Sequence, residues 1–177
     1  MQPIIYDVAV SIDGFIAGPG GDVSGFAHEG PVVDDYFARL AQYAVAIMGR
    51  HTYEFGYRFG LKPGENPYKH MQTIVFSRSL VLPESAEVSV APALDKAQLE
   101  KLKQTSTGPV YLCGGGVFAG ALLADGLIDI IRLKRAPVLL GAGTRLFDGA
   151  VQCSELAELE TRTYDSGYLF QEFAAKR

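Results

Sequence analysis

The chain has 177 residues, 48% of them apolar, and a net charge of −4, which suits one sizeable core and excludes a disordered chain. No basic run is longer than a pair such as Lys134-Arg135, which excludes a nucleic-acid binder, because that binding needs clustered cations. The long uncharged stretch at 110–124 carries four glycines and is not read as a membrane span, and no basic-then-apolar leader opens the chain.

Residues 4–10 are a mostly apolar run that opens the fold as a strand, continued through 11–17 and broken at Gly18-Pro19-Gly20-Gly21. Val33, Tyr36, Phe37, Leu40, Ala41 and Ala44 recur at helical spacing, so a helix is predicted over 32–43 with Pro31 near its start. Residues 44–48 are apolar without alternation, as in a parallel strand covered on both faces. The Gly- and Pro-rich stretch 56–67 reads as a surface excursion, one that could wall a substrate site. Strands are predicted at 73–77 and 87–90, a helix at 94–103, a strand at 110–113, a helix at 117–124 and a strand at 127–133. Strands at 156–164 and 168–174 flank Asp165-Ser166-Gly167, a hairpin signal. This alternation predicts one α/β domain with a mostly parallel central sheet, flanking helices and a C-terminal antiparallel hairpin.

Three junctions carry the chemistry. They are Met48-Gly49-Arg50-His51-Thr52, Val75-Phe76-Ser77-Arg78 and Cys113-Gly114-Gly115-Gly116. Each ends an apolar strand, and ligands of such sheets bind at the carboxyl ends of strands. Glycine admits an anion close to the backbone, and free N–H groups at a helix start attract it. Thr52 is expected to cap the helix that follows it. Arg50 and His51 can pair with phosphate oxygens, and Arg78 beside Ser77 is placed for a 2′-phosphate, which selects NADP over NAD. Three such junctions in one small chain point to a phosphate-rich cofactor. His28 and His70 read as surface residues. Cys113 and Cys153 lack metal-ligand spacing, so reduced thiols, no metal site and a cytoplasmic location are expected. Asp13 is the leading polar candidate near a reacting centre. It also reads as half of a turn-forming Asp-Gly pair.

These motifs, with Val10-Ser11-Ile12-Asp13-Gly14-Phe15-Ile16-Ala17 and Pro137-Val138-Leu139-Leu140-Gly141-Ala142-Gly143, resemble the dihydrofolate reductase-like superfamily. The likeness is greatest to the reductase domain of bifunctional riboflavin-biosynthesis deaminase/reductase proteins and to small stand-alone bacterial relatives of that domain. It covers residues 5–173. The resemblance implies NADPH and hydride transfer to a small-molecule substrate, an aminopyrimidine ribosylamino-phosphate being the specific expectation. It implies that Ala9 and Ile16 meet the nicotinamide carboxamide, and that Gly49, Arg50, His51 and Thr52 hold phosphates. Ser77 and Arg78 would lie near the 2′-phosphate, and Gly114, Gly115 and Gly116 would line the pyrophosphate and nicotinamide.

In dihydrofolate reductases a carboxylate early in the first helix holds the pterin and assists protonation. That place falls on Val33 here, and a one-residue shift restores an acid at Asp34. An apolar Val33 argues against folate or pterin reduction, which stays as an alternative beside a catalytically inactive nucleotide-binding protein. A homodimer is expected, partly from the resemblance. It is expected partly because Tyr164, Tyr168, Phe170 and Phe173 crowd the terminal hairpin, where an exposed aromatic patch would mark a partner surface.

Overall fold

The computed structural model describes residues 1–92, 94–149 and 154–176. Cys153, read above as a reduced thiol, lies outside the described residues. In chain order the elements are β1 (Ile4–Val10), β2 (Phe15–Ala17), α1 (Pro31–Leu40), β3 (Val45–Gly49), α2 (Arg50–Phe55), β4 (Gln72–Phe76), β5 (Ser89–Ala91), α3 (Lys96–Thr105), β6 (Val110–Gly114), α4 (Gly116–Ala124), β7 (Ile130–Arg135), β8 (Thr144–Arg145), β9 (Leu156–Thr163) and β10 (Leu169–Ala175).

Eight strands form one sheet in the order β5-β4-β3-β6-β1-β7-β10-β9. The pairs from β5 to β7 are parallel, and β10 pairs antiparallel with both β7 and β9. This is the mixed α/β architecture the sequence predicts, with the terminal hairpin on one edge. The two-residue β8 was not predicted. It is too short to show a period, and it pairs with β2 in a separate two-stranded ribbon.

Alternate side chains of a strand face opposite sides, and β1 shows the consequence. Ile4 and Tyr6 enter the core that includes Leu99 of α3 and Leu122 of α4. Ile5 enters the opposite core, with Leu40 of α1 and Tyr53 of α2. The four residues from Val45 to Met48 are buried, as a strand covered on both faces requires.

The excursion at 56–67 folds back rather than standing free. Tyr53 Oη accepts from the Gly64 amide at 2.9 Å and donates to the Glu65 carbonyl at 2.9 Å. None of these residues lines the cavity described below.

In the terminal hairpin, Tyr168 and Phe170 are buried. The Tyr168 hydroxyl accepts from the Ala27 amide, and Phe170 lies under the Arg39 guanidinium, 4.4 Å from ring centre to Cζ. Those two aromatics therefore serve the chain's own interior. The exposed apolar side chains of this edge are Leu156 and Leu159 of β9. Among the described residues no helix is long and apolar enough to cross a membrane.

Candidate active site

Parallel pairing brings the three junctions to one rim. Gly49 pairs with Phe76, and Met48 pairs with Gly114. Side chains then join the junctions. Arg50 Nη1 donates to Ser79 Oγ at 2.8 Å, and a Cβ built on Gly115 would lie 3.2 Å from Thr52 Oγ1.

Several details differ from expectation. Gly49, not Thr52, caps α2, and no side chain bonds the first amides. The strand runs straight into the helix at Arg50, so Thr52 already sits inside the first turn, with its hydroxyl toward Gly115. Arg50 Nε also donates to Glu54 at 2.8 Å, so two of the guanidinium nitrogens are engaged within the chain. Arg78 is exposed and has no hydrogen bond or ion pair among the described residues. His51 is exposed as well. Ser77 Oγ accepts from the amides of Ser79 and Leu80, which leaves its own O–H free to donate.

The three glycines differ in their reasons. Gly114 has φ +124, in the region that favours glycine, whereas Gly115 has φ −91. Gly116 is buried with its Cα against the Arg145 carbonyl, so the absence of its side chain answers to chain packing. Gly120, one turn on in α4, meets Asp148 in the same way.

Beside this rim, on the α1 side of the sheet, lies a cavity of about 400 Å³. Ala9 of β1 and Ile16 of β2 both line it, as does Val33. Asp34 is exposed and does not line it. Asp13 does not line it either. Its carboxylate accepts from Ser11 Oγ at 2.6 Å, from the Leu140 amide at 3.1 Å and from the Gly141 amide at 2.7 Å. The Ser11 hydroxyl, then the two amides, hold its carboxyl down to about 2. Asp13 is thus an exposed tie between the turn after β1 and the 137–143 loop, not a proton donor. Of the two histidines read as surface residues, both are exposed; His70 bonds the Leu40 carbonyl and His28 lines the cavity.

The cavity floor holds a charged cluster that the sequence reading missed. Asp7 of β1 is buried, and its carboxylate accepts from Arg39 Nε at 2.9 Å, from Tyr43 Oη at 3.2 Å and from Lys134 Nζ at 3.3 Å. Burial alone would raise the Asp7 carboxyl, but Lys134 and Arg39 outweigh it and hold it below its ordinary range. Lys134 of β7 pairs in register with Ala9. Its Nζ sits 3.3 Å from the centre of the Tyr36 ring, a cation–π contact. Burial pushes the Lys134 amine down to about 8, with Asp7 opposing. Nearby, Tyr36 and Tyr111 share a hydroxyl bond of 2.8 Å, and Tyr68 bonds Cys113 Sγ at 3.1 Å. Burial raises all four of these groups.

Residues 2–170 match the model of the RibD C-terminal domain. The chain belongs to that family. Among curated proteins, this RibD C-terminal domain chain is 28% identical to the uncharacterized protein YyaP of Bacillus subtilis (strain 168) over 173 residues, covering 93% of this chain and 90% of YyaP. Among solved structures it resembles a Shewanella sp. PV-4 protein whose name places it in riboflavin biosynthesis. The TM-score is 0.83 at 22% identity, over the whole of both chains. It also resembles the Thermotoga maritima diaminohydroxyphosphoribosylaminopyrimidine deaminase/5-amino-6-(5-phosphoribosylamino)uracil reductase. There the TM-score is 0.72 at 16% identity, with 99% of this chain and 57% of that one covered. The fold is therefore dihydrofolate reductase-like, as the motifs implied.

Proposed function

We propose that this RibD C-terminal domain chain is an NADPH-dependent reductase acting on an aminopyrimidine ribosylamino-phosphate or a related small molecule. The observation that carries the reading is the continuity of two features. The rim of three strand ends and the cavity lined by Ala9 and Ile16 share β6, whose Tyr111 lines the cavity and whose Gly114 ends at the rim. A Cβ at Gly115 would lie 3.2 Å from Thr52 Oγ1, so two of the junctions stand side by side, and the pyrophosphate is assigned to the groove along them. When bound, that cofactor supplies the hydride. The chain's own residues do the rest. Gly49, His51 and Thr52 with the α2 amides, and Gly114 and Gly115, receive phosphates. Ala9 and Ile16 orient the nicotinamide at the cavity, whose apolar wall keeps water from the reacting atoms.

Folate or pterin reduction is the weaker reading, since Val33 stands in the cavity wall and Asp34 is exposed outside it. NADPH oxidation measured with a ribosylaminopyrimidine phosphate and with dihydrofolate separates the two. NADPH binding without turnover on either substrate would favour a nucleotide-binding protein.

Arg78 is a rim cation with no hydrogen bond or ion pair among the described residues, and we assign it to the 2′-phosphate. A charge-assisted bond contributes about 1.5–3 kcal/mol. Arg78→Ala should therefore weaken NADPH binding roughly ten- to a hundredfold and leave NADH nearly unchanged, as read by fluorescence titration. Equal losses for both cofactors would sink the assignment.

We also propose that two copies pair through the β9 edge. Leu159 is 53% exposed there and Leu156 39%, and identical chains most often join by a two-fold axis. Light scattering at micromolar concentration should give the mass of a dimer. A monomer mass defeats the proposal.

A further inference from the structure

We propose that the cavity takes a planar ligand bearing a negative charge, a carboxylate or a deprotonated imide or enol oxygen, and seats that charge on Lys134 Nζ. This names the ligand class of the cavity read above as the substrate half of a reductase site, and its place in the reaction rests on that reading.

The argument begins with donors. A lysine ammonium has three N–H groups. One goes to Asp7 Oδ1 at 3.3 Å, and the Tyr36 ring face receives the amine on another side. Among the described residues no further acceptor is bonded to Nζ, and Lys134 lines the cavity.

Charge leads to the same place. Asp7 is one carboxylate shared by two cations, Arg39 and Lys134. Asp35, another acid near Arg39, is bound to Arg162 and Tyr164 instead. Arg132, two residues before Lys134 on the same strand face, is matched by Glu172 of β10. Lys134 thus stands 8% exposed with half a counter-charge, and a buried cation is costly unless it is paired.

The remaining groups around the amine do not supply the missing charge. From α1 they are Tyr36 and Arg39, from β6 Tyr111 and Cys113, from the 23–28 loop His28, and from the hairpin Tyr168. The Tyr36 and Tyr111 hydroxyls bond each other, and burial keeps both phenols and the Cys113 thiol protonated. The rest of the lining is largely apolar, with Val33 and Phe26 among it. A planar ring with one anionic edge meets both demands.

Burial lowers the Lys134 amine to about pH 8. A ligand charge beside it restores the proton, so binding above that pH takes one up.

Benzoate and benzamide have the same shape and differ in charge. Calorimetric titration of each into the full chain, without cofactor, tests the proposal. Benzoate should bind roughly ten- to a hundredfold tighter than benzamide at neutral pH, since a charge-assisted bond replaces a neutral one. At about pH 9, buffers of different ionisation heat should show uptake of more than half a proton per benzoate. Lys134→Met, in which Asp7 keeps Arg39, should bind benzoate no better than benzamide. Should that variant fail to fold, the proton uptake of the native chain decides.

Equal affinities, no benzoate binding in the millimolar range, absence of proton uptake, or a preference that survives in Lys134→Met would each overturn the inference. A parallel NADPH titration keeps the two readings apart. Benzoate preference without NADPH binding defeats only the reductase, and NADPH binding without benzoate preference defeats only the anion site.

Discussion

Gly116→Val should strongly destabilise the folded chain, whereas Gly115→Val should leave a folded chain that no longer binds NADPH. The two positions are adjacent, yet their surroundings differ in kind. At Gly116 a Cβ would run into the Arg145 carbonyl, which is backbone and cannot turn aside. Relief requires α4 to part from the 145–148 segment, and Gly120 holds the same segment one turn later. Overpacking of a rigid site costs about 1–3 kcal/mol and occasionally more, and two rigid partners place Gly116→Val at or above the upper end. At Gly115 the backbone already has φ −91, an angle open to valine. Its Cβ meets Thr52 Oγ1 at 3.2 Å, the movable end of a side chain, so the fold should lose little. The added bulk instead fills the groove assigned to the pyrophosphate. Thermal melting by circular dichroism reads the first effect and fluorescence titration with NADPH the second. Normal NADPH affinity in Gly115→Val would remove the glycines from the cofactor site.

Much of this contrast was legible beforehand, and the part that was not has a physical cause. Apolar runs marked β3, β4 and β6 because strands buried on both faces need them, and the glycines marked where those strands stop. Which glycine meets a ligand and which meets another part of the chain depends on residues 145–148, about thirty positions away, and spacing along the sequence carries no trace of that. Asp13 misled for a related reason. Its acceptors are filled by amides of Leu140 and Gly141, a long-range contact that makes an apparently free acid into a tie. The cavity cluster did leave a signal. Asp7 interrupts the apolar run Ile4-Ile5-Tyr6, and Arg132 and Lys134 alternate with Ile131 and Leu133. Charges at period two on neighbouring buried strands must meet each other.

That meeting sets the other large effect. Asp7→Ala should destabilise the chain by about 3–5 kcal/mol, because it strands the buried Lys134 and the half-buried Arg39 rather than merely removing one bond. For a chain of this length, that corresponds to a fall in Tm of roughly 6–20 °C. Adding Lys134→Met to Asp7→Ala should recover a large part of the loss, since one of the stranded charges goes with it. A double variant no more stable than Asp7→Ala would show that Lys134 is not the charge Asp7 holds. The same pair fixes a pH dependence with a definite sign. The Lys134 amine titrates near 8 when folded, against an ordinary 10.5. Between those values the unfolded chain binds more protons, so native stability should rise with pH across that window. The Cys113 thiol and the buried tyrosines work the other way, burial raising them from ordinary values of 9 and 10, so the Lys134 contribution is read against a chain that keeps them. Urea unfolding at about pH 8 and about pH 10 should therefore show the native chain gaining stability relative to Lys134→Met, which keeps the same thiol and phenols. An equal slope in both chains would mean that the amine keeps its proton in the folded state without help from a ligand.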